Sequence, residues 1–328
     1  MILSRSPLRI TMGGGSSDLK SYYSKYGGFM ITAGINRYCT ILVDERFETA
    51  LRLSYSEVEN VDKVDDIRHN IFREALKFTG VKQGVEIHSV AYLPTNSGLG
   101  SSSCFTVTLL NALHAYNRDY IPQKELAEEA AHIEIDILKS PIGKQDHYAT
   151  AIGRLICLTF EKDGHVIVEP LRVSGETLEQ LESNLQFYYT GLEHDTNEIL
   201  KEQDTKSQAD DIKMIENLHK IKEIGLLTRK TLEDGAVNEF GYLLREHWNI
   251  KKQRSDKMTT PFIDECYNEA LKSGALGGKI MGSGGAGFLM FYCLNDSKMR
   301  LYESMKRMGL RREKFMFDFD GAKIIDNR

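Results

Sequence analysis

Two closely packed α+β domains are the fold class this sequence predicts, and three observations carry it. The first half of the chain reads as strands punctuated by glycine-rich turns, and the second half is dominated by amphipathic, charge-laced helical patterns. The length, 328 residues, is roughly two domains at about 150 residues each. Neither half shows the regular strand–helix alternation of a doubly wound sheet. The boundary falls near residues 165–185, with no Pro/Ser linker, repeat or low-complexity tract to mark it.

Taken in order, residues 2–10 form a short extended run, 38–43 and 52–55 are β-rich, and 85–93 alternates apolar with polar as a half-buried strand does. Helical spacing appears at 67–78. Residues 102–116 are apolar on most faces, as in a central buried helix, and Pro122 at a first helical turn opens another through 138. Residues 154–160 and 166–173 read as a hairpin across Asp163-Gly164. Helices follow at 209–235, 238–254, 261–273 and 296–309, with strands at 287–293, 314–319 and 322–325.

Composition excludes several function classes. The 42 Lys plus Arg against 47 Asp plus Glu leave a net charge of −5, so no basic excess suggests a nucleic-acid partner. A 41% hydrophobic content with 6 Pro suits a packed core. No apolar run approaches the roughly 20 residues of a membrane span, and Arg5 and Arg9 interrupt the N-terminal stretch, so a cytoplasmic chain with no membrane partner is expected. Cys39, Cys104, Cys157, Cys266 and Cys293 include no CxxC pair and have mostly apolar neighbours, which points to buried thiols rather than disulfides or zinc. No HExxH occurs, and His132 with Glu134 lacks the further ligands of a metalloprotease helix.

Three glycine loops carry the chemistry. Pro94-Thr95-Asn96-Ser97-Gly98-Leu99-Gly100-Ser101-Ser102-Ser103 lies between a strand and an apolar helix. Its glycines admit a ligand to the backbone, the helix N-terminus offers unpaired amides, and the hydroxyls add donors and a ligand suited to Mg²⁺. It reads as a phosphate cradle, although a Ser-rich helix cap has the same composition, and it is not a Walker A loop. Gly13-Gly14-Gly15-Ser16-Ser17-Asp18 follows the first strand and Arg9, leaving an open turn beside an acceptor for sugar hydroxyls. Gly282 to Gly287 satisfies GxGxxG but leads into a strand, where a dinucleotide fingerprint must open a helix. A glycine turn joining two strands beside the cradle is the better picture. Glu134 and Asp146 are then two carboxylates that can hold Mg²⁺ and orient or deprotonate a hydroxyl, or else are ordinary solvated acids.

In their order and separations, PLRITMGGGSSD, PTNSGLGSSS and KIMGSGGAG resemble the three motifs of the GHMP small-molecule kinases, over the whole chain. The middle motif is highly specific, and the spacing of twelve between Glu134 and Asp146 matches the family's metal-binding and catalytic acids. The resemblance implies an N-terminal domain like domain 2 of ribosomal protein S5, over 1–175, and a C-terminal ferredoxin-like α+β domain, over 176–328, with the active site in the cleft. Carried over by position, Asp146 is the catalytic carboxylate and Arg9 its cationic neighbour. Ser102 and Glu134 hold Mg²⁺, and Pro94, Asn96, Ser97, Gly98, Leu99, Gly100, Ser101, Ser102 and Ser103 bind ATP. Gly13, Gly14, Gly15, Ser17, Asp18, Lys144, Gly284 and Gly285 contact the acceptor.

Within the family, PLRITMGGGSSDLKSYYSKYGG, IGKQDHYATAIG and GALGGKIMGSGGAGFLMFYC look most like the branch that phosphorylates the anomeric hydroxyl of a heptose 7-phosphate. Such an acceptor needs cations for its dianion, and the candidates are Arg37, Lys144, Lys251, Lys252 and Arg254. Two departures bear on the acceptor: Ser16 and Ser17 narrow a loop that more often reads GGGGTD or GGGTD, and His194 stands where related kinases tend to carry Arg. Small-molecule substrates are the expected partners, and a homodimer is compatible with the reading. The competing readings are a kinase for another sugar such as fucose or galactose, a catalytically inactive sugar or nucleotide sensor of the same fold, and a nicotinamide enzyme.

Overall fold

The computed structural model describes residues 1–92, 97–192 and 196–327. Its N-terminal part runs β1 (Ile2–Gly13), α1 (Lys20–Tyr26), β2 (Gly28–Glu45), β3 (Leu51–Ser54), β4 (Val58–Val61), α2 (Asn70–Thr79), β5 (Val85–Ala91), α3 (Ser101–Tyr116), α4 (Gln123–Ala131), α5 (Gln145–Ile152), β6 (Leu155–Phe160) and β7 (Val166–Pro170). The rest follows as α6 (Gly175–Asn184), β8 (Leu185–Tyr189), α7 (Thr196–Gln208), α8 (Ile212–Glu233), α9 (Val237–Lys251), α10 (Pro261–Lys272), β9 (Ala275–Ile280), β10 (Phe288–Cys293), α11 (Asn295–Arg307), β11 (Arg311–Glu313) and β12 (Lys323–Asn327).

The first sheet is built on β1 and β2, antiparallel from Ile2↔Val43 to Gly13↔Ile31. At 18 residues, β2 is long enough to be shared. Its Cys39–Glu45 half pairs with β5 and its Gly28–Ala33 half with β6. Sequence patterning exposes only 38–43 of this strand because the earlier half is buried on both faces and shows no alternation. Helix α3 buries Cys104, Val107, Leu109, Leu110 and Leu113 against β1 and β2, as its all-round apolar character requires. The single helix expected through residue 138 instead changes at His132–Ile137 to a π-helical turn, which leaves Glu134 only 2% exposed.

The second sheet has the order β11-β8-β10-β9, all antiparallel. Numbered by position in the chain this is 4-1-3-2, a ferredoxin-like order, so the fold is α+β as the sequence predicts. Two expectations change at the end of the chain. Residues 314–319 are not a strand: they contribute one isolated bridge, Phe317 to Ile35, and β11 precedes them. Nor does everything in 176–328 stay in the second unit, because β12 returns to pair with β1. That pairing satisfies main-chain groups that the edge of β1 would otherwise leave open. Helices α1, α5, α6 and α7 and strands β4, β8 and β9 have no counterpart in the sequence patterning. All five cysteines are buried and free. No helix among the described residues is long and apolar enough to cross a membrane.

Candidate active site

The three glycine loops converge because β1 ends, α3 begins and β9 turns into β10 at one place. The second and third loops touch backbone to backbone: a Cβ at Gly98 would lie 2.8 Å from Met281 O, and one at Gly282 would lie 2.6 Å from Gly98 Cα. Only glycine permits that approach. The turn from β9 to β10 sits beside the cradle, as its strand-leading glycines imply.

Arg9, on β1, ties the cradle to the carboxylate. Its backbone N–H donates to Leu99 O at 3.1 Å, and Nη1 donates to Gly98 O at 2.6 Å. Nε and Nη2 donate to the two Asp146 oxygens, each at 2.6 Å. This is the bidentate fork that arginine alone provides, and it fixes the plane of the Asp146 carboxylate. Asp146 lies in the first turn of α5, and the preceding Gln145 N–H donates to Asp18 Oδ2 at 3.0 Å. Asp18 is 6% exposed. Burial, with the Asp146 charge adding to it, pushes its carboxyl up to about 6 against the opposing pull of the Gln145 N–H and Arg9.

At the start of α3 the first helical hydrogen bond is Cys104 N–H to Gly100 O, 2.9 Å. The amides of Ser101, Ser102 and Ser103 therefore have no intrahelical acceptor and face outward from the positive end of a 16-residue helix. Ser102 Oγ donates to Glu134 Oε1 at 2.5 Å, and Glu134 Oε2 accepts from His147 Nε2 at 2.8 Å. A carboxylate can only accept, so His147 carries its proton on Nε2, and its buried Nδ1 has no partner among the described residues. One hydroxyl and one carboxylate fit Mg²⁺, which retains waters and substrate phosphates as its other ligands. No cluster of three or more His, Cys, Asp or Glu suited to a metal occurs among the described residues.

Several of the residues expected as contacts also hold the scaffold. Leu99 is fully buried and Ser103 is 2% exposed, leaving only their backbones available. Ser97 is buried with its Oγ 3.5 Å from Ser101 Oγ. Ser17 Oγ lies 2.8 Å from Gly14 O and 2.9 Å from Phe29 O, inside the loop. Gly13 packs on Gly225 of α8 and Gly14 on Phe29. Gly284 lies against Met258, and Gly285 N–H donates to Met258 O at 2.9 Å. Close packing at Gly13, Gly14 and Gly284 leaves little room for a side chain, and the cavity lining includes Gly15, Ser16, Asp18, Gly282 and Ser283 together with Arg9 and Asp146. Pro94, Asn96 and His194 lie outside the described residues.

The cation candidates divide in the same way. Lys144 Nζ donates to Glu128 at 2.8 Å and to Gly164 O, in a neighbouring cavity. Arg37 engages Lys314 O and Glu313, and Lys252 pairs with Asp264 and covers the Trp248 ring. These three are committed elsewhere. Lys251 lines the cavity with Nζ on Gly282 O (2.6 Å) and Ile280 O (3.2 Å), and Arg254 holds Ser16 Oγ (2.9 Å) and Gly15 O (3.0 Å). Lys279 and His247 line it too, beyond the five cations that the sequence suggests. The available signal was a lysine in the otherwise uncharged stretch Ala275–Ile280.

Burial dominates the electrostatics of this cluster. It lowers Lys279 to about 7, with Arg254 and Arg9 adding to the effect, and Arg254 to about 10, where Asp18 and Tyr22 oppose it. Lys251 and His247 are driven well below their usual ranges by burial and then by the neighbouring cations.

The description "GHMP kinases N terminal domain" matches residues 67–154 and "GHMP kinases C terminal" matches 228–307. The chain is 28% identical to a D-glycero-alpha-D-manno-heptose 7-phosphate kinase of Campylobacter jejuni, over 98% of both chains. A solved D-glycero-D-manno-heptose 1-phosphate kinase from Bacteroides thetaiotaomicron superposes with TM-score 0.82 and 26% identity, covering 99% of each chain. Lactococcus lactis galactokinase shares the fold, with TM-score 0.78, 18% identity and coverage of 98% of this chain and 94% of that one.

Proposed function

Because the chain belongs to the GHMP kinases, we propose that it transfers the γ-phosphate of ATP to the anomeric hydroxyl of D-glycero-D-manno-heptose 7-phosphate, giving the 1,7-bisphosphate and ADP. The observation that carries the reading is the Arg9 fork on Asp146, placed beside the amide-lined start of α3. A phosphoryl donor on those amides and a hydroxyl on Asp146 would face each other across the junction of the two loops.

Phosphoryl transfer asks a protein for positioning and for charge stabilisation more than for covalent chemistry. The amides of Ser101–Ser103 would hold donor phosphate oxygens. Asp146, its plane fixed by Arg9, orients the acceptor hydroxyl. A loose transition state keeps that proton on the nucleophile until late, so orientation is the larger part of its contribution. Asp18 accepts a hydrogen bond from another sugar hydroxyl. Ser102 and Glu134 would hold Mg²⁺, which neutralises β- and γ-phosphate charge when bound. Glu134 is itself held by His147 Nε2–H.

The name of the C. jejuni relative supports a heptose 7-phosphate acceptor, whereas that of the B. thetaiotaomicron structure specifies a heptose 1-phosphate. A coupled assay with Mg-ATP over heptose 7-phosphate, heptose 1-phosphate, free heptose, fucose and galactose decides between them, with ³¹P NMR of the product. Highest kcat/KM on the 7-phosphate and a new anomeric phosphate are expected. Preference for an unphosphorylated sugar would make this a kinase of another sugar, and nucleotide binding without turnover of any acceptor would make it a sensor.

A further inference from the structure

Among the described residues, the cavity between the first and third glycine loops gathers more basic side chains, Arg9, His247, Lys251 and Lys279, than carboxylates to pair with them. Lys279, on β9, is 3% exposed and faces this cavity, and among the described residues its ammonium has no hydrogen-bond acceptor and no ion-pair partner. Ser283 Oγ, in the same wall, is buried without a partner as well. Lys251 and Arg254 reach the region but are anchored on main-chain carbonyls and Ser16. Among the described residues, the carboxylates lining the cavity are Asp18 and Asp146, and Asp146 is engaged by Arg9. A buried ammonium without a counter-charge is expensive, and a hydroxyl left unpaired beside it adds to the cost. An anionic ligand removes both costs at once, because an ammonium and a hydroxyl are charge-assisted donors to phosphate oxygens.

The position of the cavity tells which anion it receives. Its walls include Gly15, Ser16, Asp18 and Gly143 from the acceptor side, whereas the donor-side residues Ser101, Ser102 and Ser103 are not among them. Arg254, which adds to the positive field at Lys279, holds the acceptor loop itself through Gly15 and Ser16. We propose that Lys279 and Ser283, supported by Lys251, form the seat for the phosphate that the acceptor already carries, and so select a phosphorylated over an unphosphorylated sugar. This rests on the sugar-kinase reading but assigns a separate task to residues outside its catalytic pair.

The test is Lys279→Met, which keeps the side-chain length and removes the charge, with Ser283→Ala as a second and milder variant. Lys279→Met should raise KM for the sugar phosphate by roughly ten- to a hundredfold and collapse the kcat/KM preference for it over the same sugar lacking phosphate. Ser283→Ala should move the same ratio by a smaller factor. Inorganic phosphate should raise the melting temperature of the wild type in a concentration-dependent way and do so much less for Lys279→Met. The unliganded Lys279→Met protein should melt above the wild type, since its uncompensated charge is gone. Equal loss of kcat on both sugars with unchanged KM would place the ammonium on the transferred phosphoryl group and overturn the proposal. So would phosphate stabilisation retained in full by the variant. If phosphate stabilisation depends on Lys279 but no sugar phosphate is turned over, the seat stands and the acceptor reading fails.

Discussion

Asp18→Asn should make the unliganded protein more stable at pH 8 while damaging its activity. Asp18 is buried, and its carboxyl is pushed from 3.8 up to about 6, chiefly by burial. A carboxylate whose proton affinity is raised by folding destabilises the native state wherever it is ionised. Below 3.8 both folded and unfolded chains are protonated there and no penalty exists; it grows as pH rises from 3.8 and is complete above about 6. At about 1.4 kcal/mol for each tenfold change in proton affinity, the penalty is about 3 kcal/mol. Asparagine has nearly the same shape and keeps an oxygen for the Gln145 N–H, so it removes the charge without emptying the space. Urea unfolding at pH 8 should show a gain approaching that value, and at pH 4 the two proteins should be nearly equal. The same variant should lose roughly ten- to a hundredfold in kcat/KM, because a charged acceptor for a sugar hydroxyl is gone. A stability gain identical at both pH values, or a loss at pH 8, would refute the assignment of Asp18 as a carboxylate held ionised for its ligand at a cost to the fold.

Asp146→Ala should abolish turnover through kcat while nucleotide affinity, measured by calorimetry with a non-hydrolysable ATP analogue, stays within a few-fold; near-wild-type kcat would remove Asp146 from the chemistry. Glu134→Gln should shift the Mg²⁺ titration midpoint of activity upward, and an unchanged midpoint would separate Glu134 from the metal. Gly282→Ala puts a Cβ 2.6 Å from Gly98 Cα at φ +65°. It should lower thermal stability and weaken ATP binding together, whereas a melting temperature equal to wild type would show that the loops do not meet as described. Lys144→Ala should leave the acceptor KM near wild type because its ammonium is already held by Glu128 and Gly164 O. A rise in KM beyond about tenfold would return this lysine to the acceptor site.

What the amino-acid sequence determined by itself was the local conformation of the site. Successive glycines allow turns that other residues resist, an all-round apolar run must become a buried helix, and hydroxyls before that run mark an open helix start. Hence the three loops, α3 and the α+β class were legible. The sequence also supplied the Glu134 and Asp146 pair through its motif resemblance, but their partners were decided across the fold. Arg9 meets Asp146 over 137 positions, and Ser102 meets Glu134 over 32. Strand β9 was hidden because Gly277 and Gly278 weaken a strand pattern, yet they are needed where the strand packs against Gly241 of α9 and Phe291 of β10. The cations show the division most clearly. Lys144, Lys252 and Lys279 are alike as letters, but tertiary packing gives Lys144 a carboxylate, leaves Lys252 over an indole near Asp264, and buries Lys279 in a cavity where, among the described residues, it has no ion-pair partner. A side chain's charge is written in its own residue, whereas its hydration and partners depend on segments distant in sequence, so only the folded chain decides which lysine is available to a ligand.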